Sequence, residues 1–519
     1  MTASIRRVPF RLLGTTSEVH LRYLEEDSDL RPFLGTRARS ADALMQAAPL
    51  HARRLVPSEA LSSSLLDYAE RHGAPAAALK NARALANPDT VAVVTGQQPG
   101  LFGGPLFNIH KAATTVRLAR ELAAVPGAPR VVPVFWNHTD DHDLDEVNRA
   151  FCINANLDVQ RIRLELPSGK GIAIREIGVS RAMPQALGAL RDLLPLSEYR
   201  DSALDILEPK GPNDTFGTIL ARMLFWLFGD DGLLVIEPRD LPEQAFDVLP
   251  RWHEMGDSIR DQTRASIEHL ADTGIDVTFD PTQTLMFQNT GQRRLPLSEG
   301  SSMPRASLLS PGALLRPLWQ DACLPTVASV VGPGELSYLS VAGPLYKRLG
   351  VPQPVFVPRA SLTLVEPSLK KLLGRFDWDL PDLARGPAIL ARHLATEDDH
   401  PVEEALEEMV GSLKREMTKL SGQTKKLDSQ MVGPIERTRE KIVEELLKLS
   451  GKIKRSRQNR EGTGLRQIRR LCSQLRPRGR LQERVLTAVP FLVTHGDSLS
   501  QDLVEAADPF ALEHGVIEL

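Results

Sequence analysis

Short runs rich in valine and phenylalanine alternate with longer stretches of helical period over roughly the first 375 residues. The runs Val91 to Val94, Val131 to Trp136, Leu233 to Glu237, Val327 to Val331 and Pro354 to Val357 each end in a glycine, proline or polar cluster. This alternation predicts βαβ units and an α/β fold with a parallel-sheet core. Near-continuous apolar content suits strands covered by helices on both faces. The stretches 155–230 and 240–316 are too long for simple crossovers and are expected to be insertions that build a wall or lid over the sheet edge.

From about residue 385 the period changes. Leu406, Leu413, Leu420 and Leu427 recur every seven residues, with Val402, Met409 and Met417 filling most of the alternate core positions, as in a coiled-coil seam. Asp428, Ser429, Gly433 and Pro434 interrupt it, and a second seam follows through Ile435, Ile442, Leu446, Leu449 and Ile453. Pro434 can open that second helix, because the first helical N–H groups have no partner. The expected product is a helical hairpin, then a third helix around Leu465 to Leu475 that ends at the Pro477 to Gly479 break. Its apolar face either self-associates, which the heptads favour, or packs on its own globular domain. The expected division is a core over 1–384, a helical domain over 385–480 and a return to the core over 481–519.

Length and charge narrow the class. A chain of 519 residues has room for two to four domains. A net charge of −3 gives no global positive field to gather nucleic acid or anionic membrane. The segment 451–480 is a local exception, with eleven Lys or Arg and one acidic residue, Glu461. It contains no Phe, Tyr or Trp to stack bases, so a solvated helix face or an anion-attracting patch is the simpler reading. The first fifteen residues lack the apolar stretch of an export signal. The densest apolar run, Met223 to Phe228, is far short of the roughly 20 residues that cross a bilayer, and reads as core. Cys152, Cys323 and Cys472 form no CxxC pair, which points to the reducing cytoplasm, and Cys323 reads as a buried thiol rather than a nucleophile.

Three segments carry candidate chemistry at strand ends. The first strand runs into Thr95-Gly96-Gln97-Gln98-Pro99-Gly100-Leu101-Phe102-Gly103-Gly104-Pro105, then an amphipathic helix with Leu106, Ile109, Ala113 and Val116 on one face. Glycines let backbone approach a ligand, and a helix start favours an anion. The loop is neither G-x-G-x-x-G nor a P-loop, so a plain structural turn stays open beside the phosphate reading. The second strand ends in Trp136-Asn137-His138-Thr139-Asp140-Asp141-His142-Asp143-Leu144-Asp145-Glu146, with five carboxylates and two imidazoles within nine residues. Such a cluster suits a divalent cation, a substrate ammonium or a general base. An N-capping acidic stretch is the alternative, and zinc is disfavoured by the absence of a nearby cysteine. The third is Arg316 to Thr326 with Gly332-Pro333-Gly334-Glu335 after the next strand. Beyond the coiled coil, Arg484 could fork onto a carboxylate if the chain returns to the cleft.

Together TGQQPGLFGGPLFNIHKA at 95–112, VPVFWNHTDDHDLDEVN at 132–148, RPLWQDACLPT at 316–326, VVGPGELSYL at 330–339, PVFVPRAS at 354–361 and LQERV at 481–485 resemble the bacillithiol biosynthesis BshC family of cysteine-adding enzymes. The resemblance runs from about residue 90 to the C-terminus. It implies a Rossmann-like core with connecting-peptide insertions akin to class I aminoacyl-tRNA synthetases, an antiparallel coiled-coil domain and homodimerisation through it. It also implies a reaction, the joining of cysteine to the free amine of glucosaminyl malate. Amide formation must overcome an unreactive carboxylate, so activation by ATP or another adenine nucleotide is the expected route.

On this reading Gly96, Gly100, Gly103, His110, Gly332 and Gly334 meet the nucleotide. Gln97, Gln98, Gln320, Tyr338 and Arg484 bind substrate, Arg484 gripping the malate carboxylates, and Asp141, His142 and Asp143 hold the amine and act in catalysis. Two departures from the family pattern stand out: His110 where the family has tyrosine, and Asn137 and His138 where it has small residues. No HIGH or KMSKS signature can be placed. The rival readings are a nucleotidyl-transferase-like enzyme acting on another amino acid, and a non-catalytic coiled-coil RNA-binding or scaffold protein.

Overall fold

The five apolar runs become one parallel sheet in the computed structural model, which describes residues 5–14, 16–49, 55–154, 158–166, 171–291, 293–298, 302–391, 401–424, 428 and 431–519. The strands are β1 (Val91–Gln97), β2 (Val131–Asn137), β3 (Leu234–Ile236), β4 (Thr326–Val331) and β5 (Val355–Pro358), in the order β5-β4-β1-β2-β3. All four pairings are parallel. Burial explains their composition: every residue of β2, β4 and β5 is buried. Helices α1 (Phe107–Ala123), α2 (Phe216–Phe228), α3 (Arg316–Cys323) and α4 (Pro333–Leu349) connect or cover them.

In α2 the run Met223 to Phe228 is core as expected, with only Trp226 half-buried. Helix α1 corrects an expectation. It is not amphipathic, because Asn108, His110, Lys111, Thr114 and Thr115 are buried along with its apolar face. A helix can bury polar groups on that side only if they find partners; Lys111 and His110 find the carboxylates described below, and Thr114 and Thr115 donate to the carbonyls of His110 and Lys111.

The long stretches between strands are ordered additions. The first contains an antiparallel hairpin, Arg149–Ile153 with Val159–Arg163, and a helix over Met183–Leu193. The second contains helices Leu249–Glu254 and Gly256–Asp272, and a three-stranded antiparallel sheet of Met286–Asn289, Arg294–Pro296 and Leu309–Pro311. A small sheet of Ile5–Val8, His514–Glu518 and Leu362–Val365 ties both ends of the chain to the core.

The chain divides into two compact units, one of Met1–Lys370 with Arg480–Leu519, the other of Lys371–Gly479. The second is built on α5 (Pro401–Thr424) and α6 (Val432–Leu475), which pack as a hairpin. The separate third helix does not exist; α6 runs unbroken for 44 residues. Gly462 and Gly464 cost about 1 kcal/mol each in a helix interior but lie in a run of good helix formers with no proline. Pro434 sits in the first turn, where its missing N–H is harmless. Leu427 and Ser429 lie outside the described residues, as do the side chains of Val402 and Ile453. Among the described residues no helix is long and apolar enough to cross a membrane.

Candidate active site

The chain winds from β1 through β2 to β3 on one side of the sheet, then returns to β4 and β5 on the other. Loops leaving the carboxyl ends of β1 and β4 therefore part, which opens a crevice where α/β sheets bind ligands. A cavity of about 210 Å³ lies there. Gly96, Gln97 and Gln98 line it from the end of β1, His138 from beyond β2, Arg316 and Gln320 from α3, and Glu335 and Tyr338 from α4.

Charges inside the wall are paired. Lys111, buried in α1, donates to Gly96 O at 2.6 Å and Gln97 Oε1 at 2.9 Å, and pairs with Glu335. Burial lowers its pKa, and Glu335 pulls the other way. Glu335 also accepts from the Gly332 N–H at 2.6 Å, closing the first turn of α4. On the opposite side Asp141 accepts from Arg316 at 3.1 Å, from the His142 N–H at 2.7 Å and from Gln98, with Arg294 at 3.9 Å. Burial alone would raise Asp141, but Arg316 and Arg294 outweigh it and hold the carboxyl well below its usual range. His138 is neutral: burial, then the charges of Arg316 and Lys111, lower it far below an ordinary histidine.

The expected residues do not all meet. Gly96, Gln97, Gln98, Gln320 and Tyr338 line the cavity, and Asp141 stands behind Gln98 and Arg316 as their anchor. Strand β2 stops at Asn137, so Asp141 and Asp143 do not alternate along a strand to face one ligand. Asp143 instead caps the short helix Leu144–Val147 through the Glu146 N–H, and with His142 lines a neighbouring pocket of about 720 Å³ beside Phe287 and Arg294. His138 and His142 therefore face different cavities.

Gly100 and Gly103 shape the turn. A Cβ at Gly100 would stand 2.9 Å from Gly104 Cα, and Gly103 has φ +82° against Met223. Gly332 caps α4, and Gly334 is exposed in its first turn. His110 lies outside the cavity, fully buried, its Nδ1 3.0 Å from Glu483 Oε2. Arg484 is half-buried within electrostatic reach of Glu335, Arg359 and Glu483, and its side chain makes no hydrogen bond or ion pair among the described residues.

Residues given no role of their own beforehand do much of the wiring: Arg316 and Glu335, which stood only as members of the third segment, with Lys111, Arg294 and the buried pair Arg359–Glu483, at 2.6 Å. A lysine inside an apolar helix after a glycine loop is a readable signal, since burial of an ammonium demands a partner. Arg294 had none. The three cysteines are buried free thiols, with Cys323 Sγ 3.8 Å from Ala245 O, in line with the reading as plain thiols.

Comparison with known proteins divides the chain near residue 361, with Arg480–Leu519 on the coiled-coil side. Residues 8–360 match the N-terminal Rossmann-like domain of bacillithiol biosynthesis BshC, and residues 362–519 its C-terminal coiled-coil domain. The chain is 29% identical over 538 residues to a protein named "Putative cysteine ligase BshC" from Salinibacter ruber, covering 98% of each. It is 30% identical over 476 residues to a protein of the same name from Koribacter versatilis, covering 87% of this chain and 88% of the relative. A third of that name, from Bacillus cytotoxicus, is 24% identical over 549 residues, covering 99% and 100%.

Proposed function

The chain belongs to the bacillithiol biosynthesis BshC family, and on that premise we propose that it is a ligase joining the carboxyl carbon of cysteine to the free amine of glucosaminyl malate. The observation that carries the reading is the cavity of about 210 Å³ at the switch of the sheet. It is smaller than the 300–1,000 Å³ of sites for drug-sized ligands, and so suits a single amino acid. Arg316, fixed by Asp141, offers a guanidinium to the amino acid's carboxylate. On this reading the larger amine substrate approaches from the mouth, and Arg484, whose side chain makes no hydrogen bond or ion pair among the described residues, takes its malate carboxylates.

On this reading the amino acid fills the cavity of about 210 Å³, and the nucleotide lies outside it. The reading puts ATP at the mouth, near the glycines of the first loop and the exposed Gly334 turn, where it would make a carboxylate oxygen a leaving group. The chain's own task is to hold carboxyl carbon and amine together, which can contribute several kcal/mol of the barrier. Incubation with cysteine, glucosaminyl malate and ATP should give the amide product by mass. Absence of product, or equal product from other amino acids, would overturn the cysteine assignment. The reading places the enzyme in the reducing cytoplasm, in keeping with its unpaired thiols.

The family membership and the heptads also support a homodimer formed through the hairpin. Within that unit Leu406 is buried, while Met409, Leu420, Ile442, Leu447 and Leu449 are exposed. Deleting roughly 400–460 should leave a monomer by light scattering; an unchanged dimer would move the interface elsewhere.

A further inference from the structure

Behind the cavity, Asp321 is buried on α3. Its Oδ2 accepts from Tyr346 Oη at 2.6 Å and its Oδ1 from Gln320 Nε2 at 3.3 Å. Both Asp321 oxygens are taken as acceptors, so the amide NH₂ of Gln320 is turned back to Asp321 and its carbonyl oxygen is turned away. That oxygen stands on the cavity floor, 2.9 Å from the point a Cβ on Gly96 would occupy. His138 Nε2 lies 2.5 Å from the same point. The other ring nitrogen, Nδ1, is buried without a partner among the described residues, so Nε2 is the one that reaches the cavity. Glu335 adds a carboxylate to the wall. This floor repels a carboxylate and attracts an N–H donor, while Arg316 on the same cavity does the reverse.

We propose that Gln320 reads the ammonium of the amino-acid substrate with its side-chain carbonyl, and that Asp321 is the positioning residue that keeps that carbonyl facing the cavity. The proposal rests on the ligase reading and deepens it by fixing which end of the amino acid meets which wall. The ammonium sits over Gly96 and the carboxylate points to Arg316, where the amine substrate can reach the carboxyl carbon. Without Asp321 the amide is free to turn, and an NH₂ group then faces the ammonium it should accept from.

Calorimetric titration of the full chain with L-cysteine and N-acetyl-L-cysteine tests this. The wild type should bind cysteine at least tenfold more tightly than its N-acetyl form. Asp321→Leu should weaken cysteine about tenfold and erase that preference. Asp321→Asn can still accept from Gln320 and donate to Tyr346, so it should stay within about threefold of wild type. Burial pushes Asp321 up to about 7, so its ionised form works against folding at neutral pH, and the asparagine variant should melt no lower than wild type. If Asp321→Leu does not fold, Gln320→Leu supplies the same loss of preference with Asp321 in place.

An Asp321→Leu or Gln320→Leu protein that still prefers free cysteine overturns the inference and leaves the ligase reading standing. A wild type that prefers another free amino acid over its N-acetyl form, with the same response to the variants, sustains the inference and removes cysteine as the substrate. A folded wild type that binds no amino acid overturns both.

Discussion

Glu483→Leu is expected to destabilise the core by about 3–5 kcal/mol, the cost of removing one partner of a buried ion pair. Glu483 is fully buried in the segment that follows the helical hairpin, yet it accepts from Arg359 at 2.6 and 2.9 Å, from the Ser361 hydroxyl at 2.8 Å and from the Leu362 N–H at 3.0 Å. Burial alone would raise its pKa, but Arg359 and His110 hold it well below the usual carboxylate range. Leucine would leave the Arg359 guanidinium, only 3% exposed, without a counter-charge. Domains of this kind have roughly 5–15 kcal/mol in total, so much of the protein should be unfolded or aggregated at growth temperature. The same segment holds the glycine loop: Leu106 N–H donates to Leu486 O at 2.8 Å, and Thr487 Oγ1 to Phe102 O at 3.0 Å. Urea titration of the variant decides the matter; an unfolding free energy within about 1 kcal/mol of wild type would remove Glu483 as the pin of this segment.

Asp141→Asn is expected to lower kcat/KM about 100-fold, mostly through KM. Asp141 lies outside the cavity lining and acts through Arg316 and Gln98, so its loss frees the groups that hold substrate. A stability cost of about 2–3 kcal/mol accompanies this, as expected for hydrogen bonds to a charged group that is mostly buried. The substitution is thus not a surface change. Its pH dependence follows from the sign of the shift. A carboxyl whose folded pKa lies below its ordinary value near 3.8 stabilises the fold above that value, and the contribution fades as pH falls below it. The gap in melting temperature between wild type and variant should therefore be full at pH 6–8 and shrink below about pH 4. A gap that is constant across pH, or a variant with unchanged KM, would detach Asp141 from the site.

What the chain disclosed beforehand follows the range of the interactions. The five strands were legible because a strand covered on both faces leaves a continuous apolar run, and β1, β2 and β4 are such runs. The glycine loop was legible because it follows a strand. The role of Asp141 was not, since its partner Arg316 is 175 residues away, and neither position carries a local pattern that names the other. Local spacing suggested instead that Asp141 and Asp143 face one ligand, an arrangement a strand ending at Asn137 rules out. The continuity of α6 was hidden for a different reason. Its basic half lacks an apolar period, and backbone helicity does not need one where lysine, arginine and glutamine supply the propensity.

The central claim is that the amino acid is held for amide formation in the cavity lined by Gly96 and Arg316, and one assay addresses it. Gly96→Ala puts a methyl group 2.5 Å from His138 Nε2 and 2.9 Å from Gln320 Oε1, where only side-chain ends have to shift. The variant should therefore fold, with a melting temperature within a few degrees of wild type. Product mass is then followed with cysteine, glucosaminyl malate and ATP for both proteins in parallel. The account predicts amide from the wild type and at least a 100-fold slower rate from folded Gly96→Ala; equal rates from the two proteins would contradict it.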